Sequence, residues 1–457
     1  MILKKNINKV LFLFLLSHLI LWTVIPSISN ENLPLDTIEA LAWGSNLDWG
    51  YSKHPPLSAF AVEIFYDLFG NQDWAFYFLS QIFIIISFLL IFKLTEEFTN
   101  DRFLALISIL LLEGIFFYNF TSPEFNVNIS QIPFWAASLY FSYRCTKFNK
   151  VSDYIFLGIV LGFGILSKYL FIYLAIGVKF LFLYLLFKKE KISFKNIVLT
   201  ALIMLLILSP HIKWLLENDF ITISYGLKRT GGIGSLFDHL IYPSLFLLKQ
   251  LGVLLPFFIM IFFLTEKFTT KIKFKSDKFV FLNCTVLIPI LLMIITSIVI
   301  GAKIRTMWMT PFYIGLGILI VEIFKANINV RKLRNFFKVF LFFFLFSPLL
   351  YLTISIIDDT KRTDYPGKEI SRLVQNKWDD NFRNEIRIVV GDEWFAGNLS
   401  YHLSSRPIWI NDLREESKNI LNDQGVIYTG NPKILKKVCP GVFGTIKPVG
   451  YCMIGRR

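Results

Sequence analysis

Cysteine and histidine are scarce in this chain, with four and five residues in 457. No Cys/His spacing suits a structural zinc site, and four scattered cysteines cannot build a disulfide-dense scaffold. Charge is low as well. Asp, Glu, Lys and Arg make up 18% of the chain, against about 25% in soluble domains, which excludes an ordinary soluble protein. Hydrophobic residues make up 54%, aromatics 17%, and Phe alone accounts for 49 positions. Apolar runs long enough to cross a bilayer (roughly 17–25 residues) recur through the first 357 residues. The reading is a polytopic α-helical membrane protein.

Eleven spans are expected, near 8–26, 74–94, 103–119, 128–143, 152–167, 169–187, 196–212, 240–264, 279–300, 306–324 and 336–357. Charge between them sets the orientation. With Lys4, Lys5 and Lys9 inside, alternate connections should be basic. Those at 144–150, 188–195, 265–278 and 325–338 are, with Arg144, Lys147, Lys188, Lys189, Arg331, Lys332 and Arg334 among them. An odd number of spans then puts the last hundred residues outside. Much of the +14 net charge is this topogenic Lys and Arg, so it gives no argument for nucleic acid. The first apolar segment could be a signal peptide, but it lacks a convincing small-residue cleavage site before Asn30 and the charge alternation works with it retained, so it is expected to stay as a span.

The cytoplasmic connections leave no room for a domain, so chemistry is expected on the outer face. Three external segments exceed a simple turn. In 27–73, helical apolar spacing at 36–47 and 55–69 suggests helices lying at the interface. A short second segment covers 119–127. The third, 213–239, carries Glu217, Asp219, Lys228, Arg229 and a flexible Gly231-Gly232-Ile233-Gly234 run. Residues 358–457 change composition. β-rich runs at Ile386–Val390, Pro407–Ile410 and Val426–Thr429 alternate with helix-like stretches at 366–378, 394–403 and 413–422, which suggests a small external α/β domain. No nucleophile, phosphate loop or metal spacing marks it, and a packing or substrate-guiding role is expected. Cys439 and Cys452 fall in it, where an oxidising compartment would permit a disulfide.

The first external loop concentrates ionisable and aromatic groups at the edge of the apolar region, which is costly without a use. Asp36 and Glu39, three apart, share a helix face and could form a capping box after Pro34 or point into a cavity. Trp49-Gly50-Tyr51 presents rings that could stack on sugar or sit among headgroups. Pro55 holds His54 extended, and Pro56 can open a helix. Glu124 stands before the fourth span, where Asn126 and Asn128 could also reach inward; Glu113 joins it or is capped. Lys168, His211, Lys303 and Arg305 put positive charge at external ends. Each could snorkel alone, but several on one rim facing carboxylates suit an anionic ligand such as phosphate. His18 is expected to be packed or hydrogen-bonded, and Lys179 to snorkel.

Asp36-x-x-Glu39-x-x-x-Trp43, Trp49-Gly50-Tyr51 and Lys53-His54-Pro55-Pro56-Leu57 together resemble the glycosyltransferase family 39 / dolichyl-phosphate-mannose-protein mannosyltransferase-like family. These are bacterial polytopic enzymes of the GT-C superfamily, related to lipid A aminoarabinose and galacturonic acid transferases. Ser122–Asn126, Leu166–Tyr169, Pro210-His211 with Glu217–Phe220, and Arg305–Trp308 match further stretches in order. The resemblance implies a GT-C fold and inverting transfer of one sugar from a polyprenyl-phosphate donor to a lipid, glycan or protein acceptor, at the outer face of the bacterial inner membrane. It makes Asp36 and Glu124 catalytic acids, with Glu39 sharing the first-loop role with Asp36, and puts Lys168 and Arg305 on the lipid phosphate. His54, His211, Trp49 and Tyr51 are expected, from their place on the same rim, to bind substrate with them. A divalent metal ion would sit on Asp36 and Glu124. Many members have adjacent acids in this loop, whereas here Thr37 follows Asp36. The competing class is a transporter or flippase of an anionic lipid-linked sugar, which would want broken spans, midplane charges and an internal repeat; the charges here gather at one face instead.

Overall fold

In the computed structural model, which describes residues 6–189, 192–230, 235–268, 276–328, 330–411 and 425–457, the apolar runs form a helical bundle. In chain order it is α1 (Ile7–Ser29), α2 (Leu35–Gly44), α3 (Leu57–Phe69), α4 (Asp73–Thr99), α5 (Arg102–Leu112), α6 (Val127–Phe148), α7 (Val151–Ser167) and α8 (Ile172–Phe187). Next come α9 (Phe194–Glu217), α10 (Ile221–Arg229), α11 (Asp238–Leu264), α12 (Asp277–Leu282), α13 (Ile288–Ile300), α14 (Leu316–Phe324) and α15 (Val330–Ile357). A π turn, Asn283–Leu287, makes α12 and α13 one continuous rod.

Among the described residues, seven helical stretches are long and apolar enough to cross a membrane. Thr306–Tyr313 and Leu316–Asn327, bent by 55° where they meet, make an eighth if counted as one. The other three expected spans fall on α5, α6 and α7, and each differs for its own reason. α7 is short, at 17 residues. α6 turns its polar side chains inward, burying Asn128, Ser130, Gln131, Ser138 and Ser142 between α4 and α7, so it is less apolar without facing lipid with polar groups. α5 stops at Leu112, short of the expected 119, because the chain from Glu113 to Ser122 leaves the helix for a polar-bonded loop described below.

α2 and α3 are the expected interfacial helices of the first external loop. Leu33, Ile38 and Leu41 bury one side of α2 in the main core. Ala42 and Trp43 enter a second core shared with the C-terminal unit. That unit consists of α16 (Gly367–Asp379), β1 (Ile388–Val390), α17 (Phe395–His402), β2 (Ile408–Ile410), β3 (Val426–Gly430), α18 (Pro432–Val438), β4 (Val442–Ile446) and β5 (Val449–Ile454). The sheet order is β2-β1-β3-β5-β4. β1 pairs in parallel with both β2 and β3, and β5 runs antiparallel to β3 and β4. The three expected strands are β1 to β3, whereas the β4–β5 hairpin was not expected, since Gly444 and Gly450 blunt its strand signal. Cys439 and Cys452 are disulfide-bonded, tying the end of α18 to β5. The helix expected at 413–422 and the glycine run at 231–234 lie outside the described residues.

The C-terminal unit is fastened to the loop rather than appended to it. Arg406 donates to Glu63 Oε2 at 2.6 Å and to the Leu41 carbonyl at 2.7 Å, and lies over the Tyr66 ring. His402 Nε2 meets Asn32 Oδ1 at 3.0 Å. Gly397 on α17 packs so closely on α2 that a β-carbon there would sit 3.1 Å from Ala42 and 3.2 Å from Ile38. The helix bearing Asp36 and Glu39 is thus held between bundle and sheet.

Candidate active site

Pro34 occupies the N-cap position of α2 and no side chain caps that end. The capping box open to Asp36 and Glu39 is therefore not formed, and both carboxylates turn to a cavity at the outer end of the bundle. Behind α2, the 46–54 turn is pinned by α9 and α10. The Tyr51 N–H donates to the His54 carbonyl at 3.1 Å. Thr222 donates to the Tyr51 carbonyl at 2.6 Å, and the Trp214 indole N–H to Asp48 at 2.6 Å. Gly50 lies flat on the Trp214 ring, where any side chain would overlap it.

The loop presenting Glu124 is held by buried polar groups throughout. Asn119 donates to the Glu113 carbonyl at 2.5 Å, and Ser122 donates to the Asn119 carbonyl through its amide at 3.0 Å and its hydroxyl at 2.7 Å. Ser80 and Gln81 of α4 hold Ser122 from below, at 2.5 and 3.2 Å. Under the loop, His18 Nδ1 meets the Glu113 carboxylate at 3.1 Å with both side chains wholly buried. Buried backbone polar groups have to be satisfied, and here side chains do it in place of helix. Glu124 then reaches α2: its Oε1 accepts the Asp36 N–H at 3.3 Å, while Thr37 donates to the Phe125 carbonyl at 3.0 Å. The two expected acids meet across two loops.

Opposite Asp36 stand cations from three further elements. Lys168 ends α7 in extended backbone. Its ammonium donates to Asn128 Oδ1 at 2.6 Å and lies 5.1 Å from the Trp308 ring centre. Arg305 precedes the 3₁₀ turn Thr306–Met309, and Arg229 comes from the last turn of α10. With Asp36, Glu39, Lys53, His54 and Tyr225, these residues line a cavity of about 140 Å³. A second cavity, of about 320 Å³, opens on the far side of Leu35 and is lined by Glu124, Tyr351, Ser355, Lys361 and Arg362. Asp36 lines the first and Glu124 the second.

Burial sets the protonation pattern. It raises Asp36, against the pull of Lys168, Lys53, Arg229 and Arg305. It raises Glu39 to about 7. Glu124 goes to about 8, through burial and then repulsion by Asp36. Glu124 is thereby favoured in its protonated form at neutral pH, while the cations facing Asp36 favour that group's charged form. Burial lowers Lys168 to about 7 and depresses His54, helped by Lys168, Lys53 and Arg229. Burial opposes the charge on Lys53, but Glu39 and Glu393 outweigh it and hold its pKa above the ordinary value.

Asp36, Glu39, His54, Lys168 and Arg305 come together in the first cavity, and Glu124 adjoins Asp36. Three expected substrate residues stand elsewhere. His211 lies inside α9 with both ring nitrogens engaged, by the Trp49 carbonyl at 2.5 Å and the Tyr169 hydroxyl at 2.7 Å. Trp49 is 44% exposed and edge-on to Phe60. Tyr51 stacks on Trp43 and spends its hydroxyl on the Trp43 carbonyl. All three build the turn rather than line the cavity. Lys303 is exposed and outside the lining, and Lys179 is exposed on α8. Tyr225, Arg229 and Glu393 were not expected at the site. The outward Lys228-Arg229 pair, against the positive-inside trend, was the available signal for Arg229. For a metal, Asp36 and Glu124 offer two carboxylates, and among the described residues no group of three or more His, Cys, Asp or Glu is placed to hold an ion.

Residues 53–214 match the family described as dolichyl-phosphate-mannose-protein mannosyltransferase. The lipopolysaccharide core galacturonosyltransferase RgtB of Rhizobium johnstonii is 26% identical over 215 residues, 46% of this chain and 43% of that one. The alignment thus spans less than half of that relative. ArnT of Cupriavidus metallidurans, solved with undecaprenyl phosphate, superposes with a TM-score of 0.66 at 13% identity, over 97% of this chain and 98% of its own. The archaeal oligosaccharyltransferase AglB of Archaeoglobus fulgidus, in complex with an inhibitory peptide and a dolichol-phosphate, gives 0.52 at 12% identity, over 94% of this chain and 70% of its own. Residues 53–214 thus resemble the mannosyltransferase family, and the chain as a whole has the GT-C fold that ArnT and AglB share.

Proposed function

We propose that this protein is an inverting glycosyltransferase that moves one sugar from a polyprenyl-phosphate donor to a hydroxyl acceptor at the outer face of the bacterial inner membrane. The observation that carries the reading is a carboxylate, Asp36, facing Lys168, Arg229 and Arg305 across one cavity. The donor's phosphodiester carries one negative charge and suits those cations, with its lipid tail left to the bilayer. The acceptor enters from the second cavity, past Glu124. In the transfer step the acceptor oxygen attacks the sugar C1 from the face opposite the phosphate. The C1–O bond breaks, and its electron pair leaves with the polyprenyl phosphate. The acceptor proton passes to Asp36. Charge that grows on the leaving phosphate is met by cations already in place, the kind of preorganised stabilisation that lowers a barrier. Protonated Glu124 accepts the Asp36 N–H and keeps a second negative charge away from the base.

Removing a general base costs about 10²–10⁴-fold in rate. Asp36→Asn is expected to lose sugar transfer by that order while still inserting and accumulating, with Glu124→Gln impaired as well. The measurement is transfer from a polyprenyl-phosphate sugar to envelope glycolipids by purified protein in detergent, read by mass spectrometry. Normal transfer by both variants would sink the assignment. A carrier would give no glycosylated product even from the unaltered protein.

A further inference from the structure

We infer that Glu393, contributed by the C-terminal unit, is a positioning residue of this active site, acting through Lys53. The inference rests on the proposed function for its consequence in turnover, but not for its geometry. Lys53 Nζ is bound between two carboxylates, Glu39 Oε2 at 2.6 Å and Glu393 Oε1 at 3.1 Å. The side chains of Lys53, Glu39 and Glu393 are only 25%, 13% and 15% exposed. Such shielding lets an ion pair hold geometry in a way an exposed pair does not.

Glu393 is itself fixed. Asp392 Oδ1 accepts the Trp394 and Phe395 N–H groups, each at 2.8 Å, at the start of α17. The Trp394 ring packs on Tyr365, with the Arg362 guanidinium over it at 5.7 Å. α17 in turn lies against the back of α2 through Gly397. The C-terminal unit therefore reaches the site twice, through backbone-close packing of Gly397 on α2 and through Glu393 on Lys53. Without Glu393, Lys53 has one partner instead of two. It is then free to swing toward the donor phosphate or out of the cavity, and Glu39 loses the fixed cation that orients it one helical turn from Asp36. The C-terminal unit thus completes the site, beyond the packing role its sequence suggested.

The test uses the full chain in detergent, with Glu393→Ala, Glu393→Gln, Lys53→Met and the Ala/Met double variant. For a positioning role, Glu393→Ala lowers kcat by about 10-fold or more while the donor KM stays within about 2-fold. Glu393→Gln, which keeps an oxygen acceptor at the same reach, falls between. In the Lys53→Met background, Glu393→Ala adds less than about 2-fold, because the two side chains act as one unit. Full additivity of the two losses overturns the inference. A second readout does not need turnover: acylation of Lys53 by a water-soluble amine-reactive ester, followed by mass spectrometry. It should rise several-fold in Glu393→Ala, and an unchanged labelling rate overturns the inference as well. If even the unaltered protein transfers no sugar, the proposed function fails, while the labelling arm still decides the role of Glu393.

Discussion

At the scale of single residues, the site works by placing charge where burial opposes it. Lys168 shows this most directly, since burial brings it to about 7. Below that pH the free enzyme carries an ammonium ready for phosphate; above it, the amine is neutral. The donor phosphodiester stays singly negative across this range, so the alkaline loss belongs to the protein. The donor KM is therefore expected to rise as pH climbs from about 7 to 9, approaching tenfold per unit, as for any single ionisation that gates binding. Arg stays protonated at every accessible pH, so Lys168→Arg should flatten the rise whatever it does to absolute affinity. Steady-state kinetics from pH 6 to 9 on both proteins measures this, and an equally steep rise in the Arg variant would remove Lys168 from the phosphate. The sequence showed this residue, because a lysine at an external helix end needs a reason. His211, Trp49 and Tyr51 looked equally suited and went elsewhere. Carbonyls of the 43–49 turn and the Tyr169 hydroxyl take the polar groups of His211 and Tyr51, and Trp49 packs edge-on to Phe60, contacts that only the fold creates.

Among elements, the bent rod made of Thr306–Tyr313 and Leu316–Asn327 carries Trp308, and Arg305 just before it, to the cavity, and its placement depends on one close crossing. Gly317 lies against the Ser108 carbonyl of α5, so near that a β-carbon would overlap it. Tyr118, from the loop above α5, donates to the Thr310 carbonyl at 2.6 Å, in the segment before the bend. A methyl group at position 317 would meet backbone that cannot rotate away, so the rod would have to move off α5. Gly317→Ala is expected to lower the unfolding midpoint by several degrees and to raise the donor KM, because Arg305 shifts with the rod. The alanine's better helix propensity offsets less than about 1 kcal/mol of this. Thermal unfolding in detergent with parallel kinetics checks it, and unchanged values in both would show that the crossing tolerates a side chain. Hydropathy located the long helices and the two interfacial ones well. It did not mark where α5 ends, because Glu113 to Ser122 is as apolar as a span apart from the few polar residues that bond the loop. Nor did it mark the β4–β5 hairpin, whose glycines lower its strand propensity and whose register depends on β3.

For the molecule as a whole, orientation decides which compartment holds the site. Lys147 and Lys278 donate to the Glu97 and Phe98 carbonyls at the last turn of α4, while Asp73 at the first turn of α4 accepts from Tyr401 of the C-terminal unit, on the side of α2 and the cavity. The positive-inside rule places the basic connections that carry Lys147 and Lys278 in the cytoplasm. The Cys439–Cys452 disulfide in the C-terminal unit fits an oxidising outer compartment. Thiol mapping tests the arrangement against little background, since Cys145 and Cys284 are buried and the other two cysteines are bonded. In sealed right-side-out membrane vesicles, an impermeant maleimide should label Lys433→Cys, on the exposed face of α18, at once. It should reach Lys147→Cys, in a basic connection, only after the membrane is permeabilised. The reverse pattern would place the cavity in the cytoplasm, where the proposed donor, delivered outside, could not meet Lys168 and Arg305. Labelling of both before permeabilisation would mean that the vesicles leak, so a cytoplasmic marker enzyme has to stay latent in the same preparation for the comparison to decide the matter.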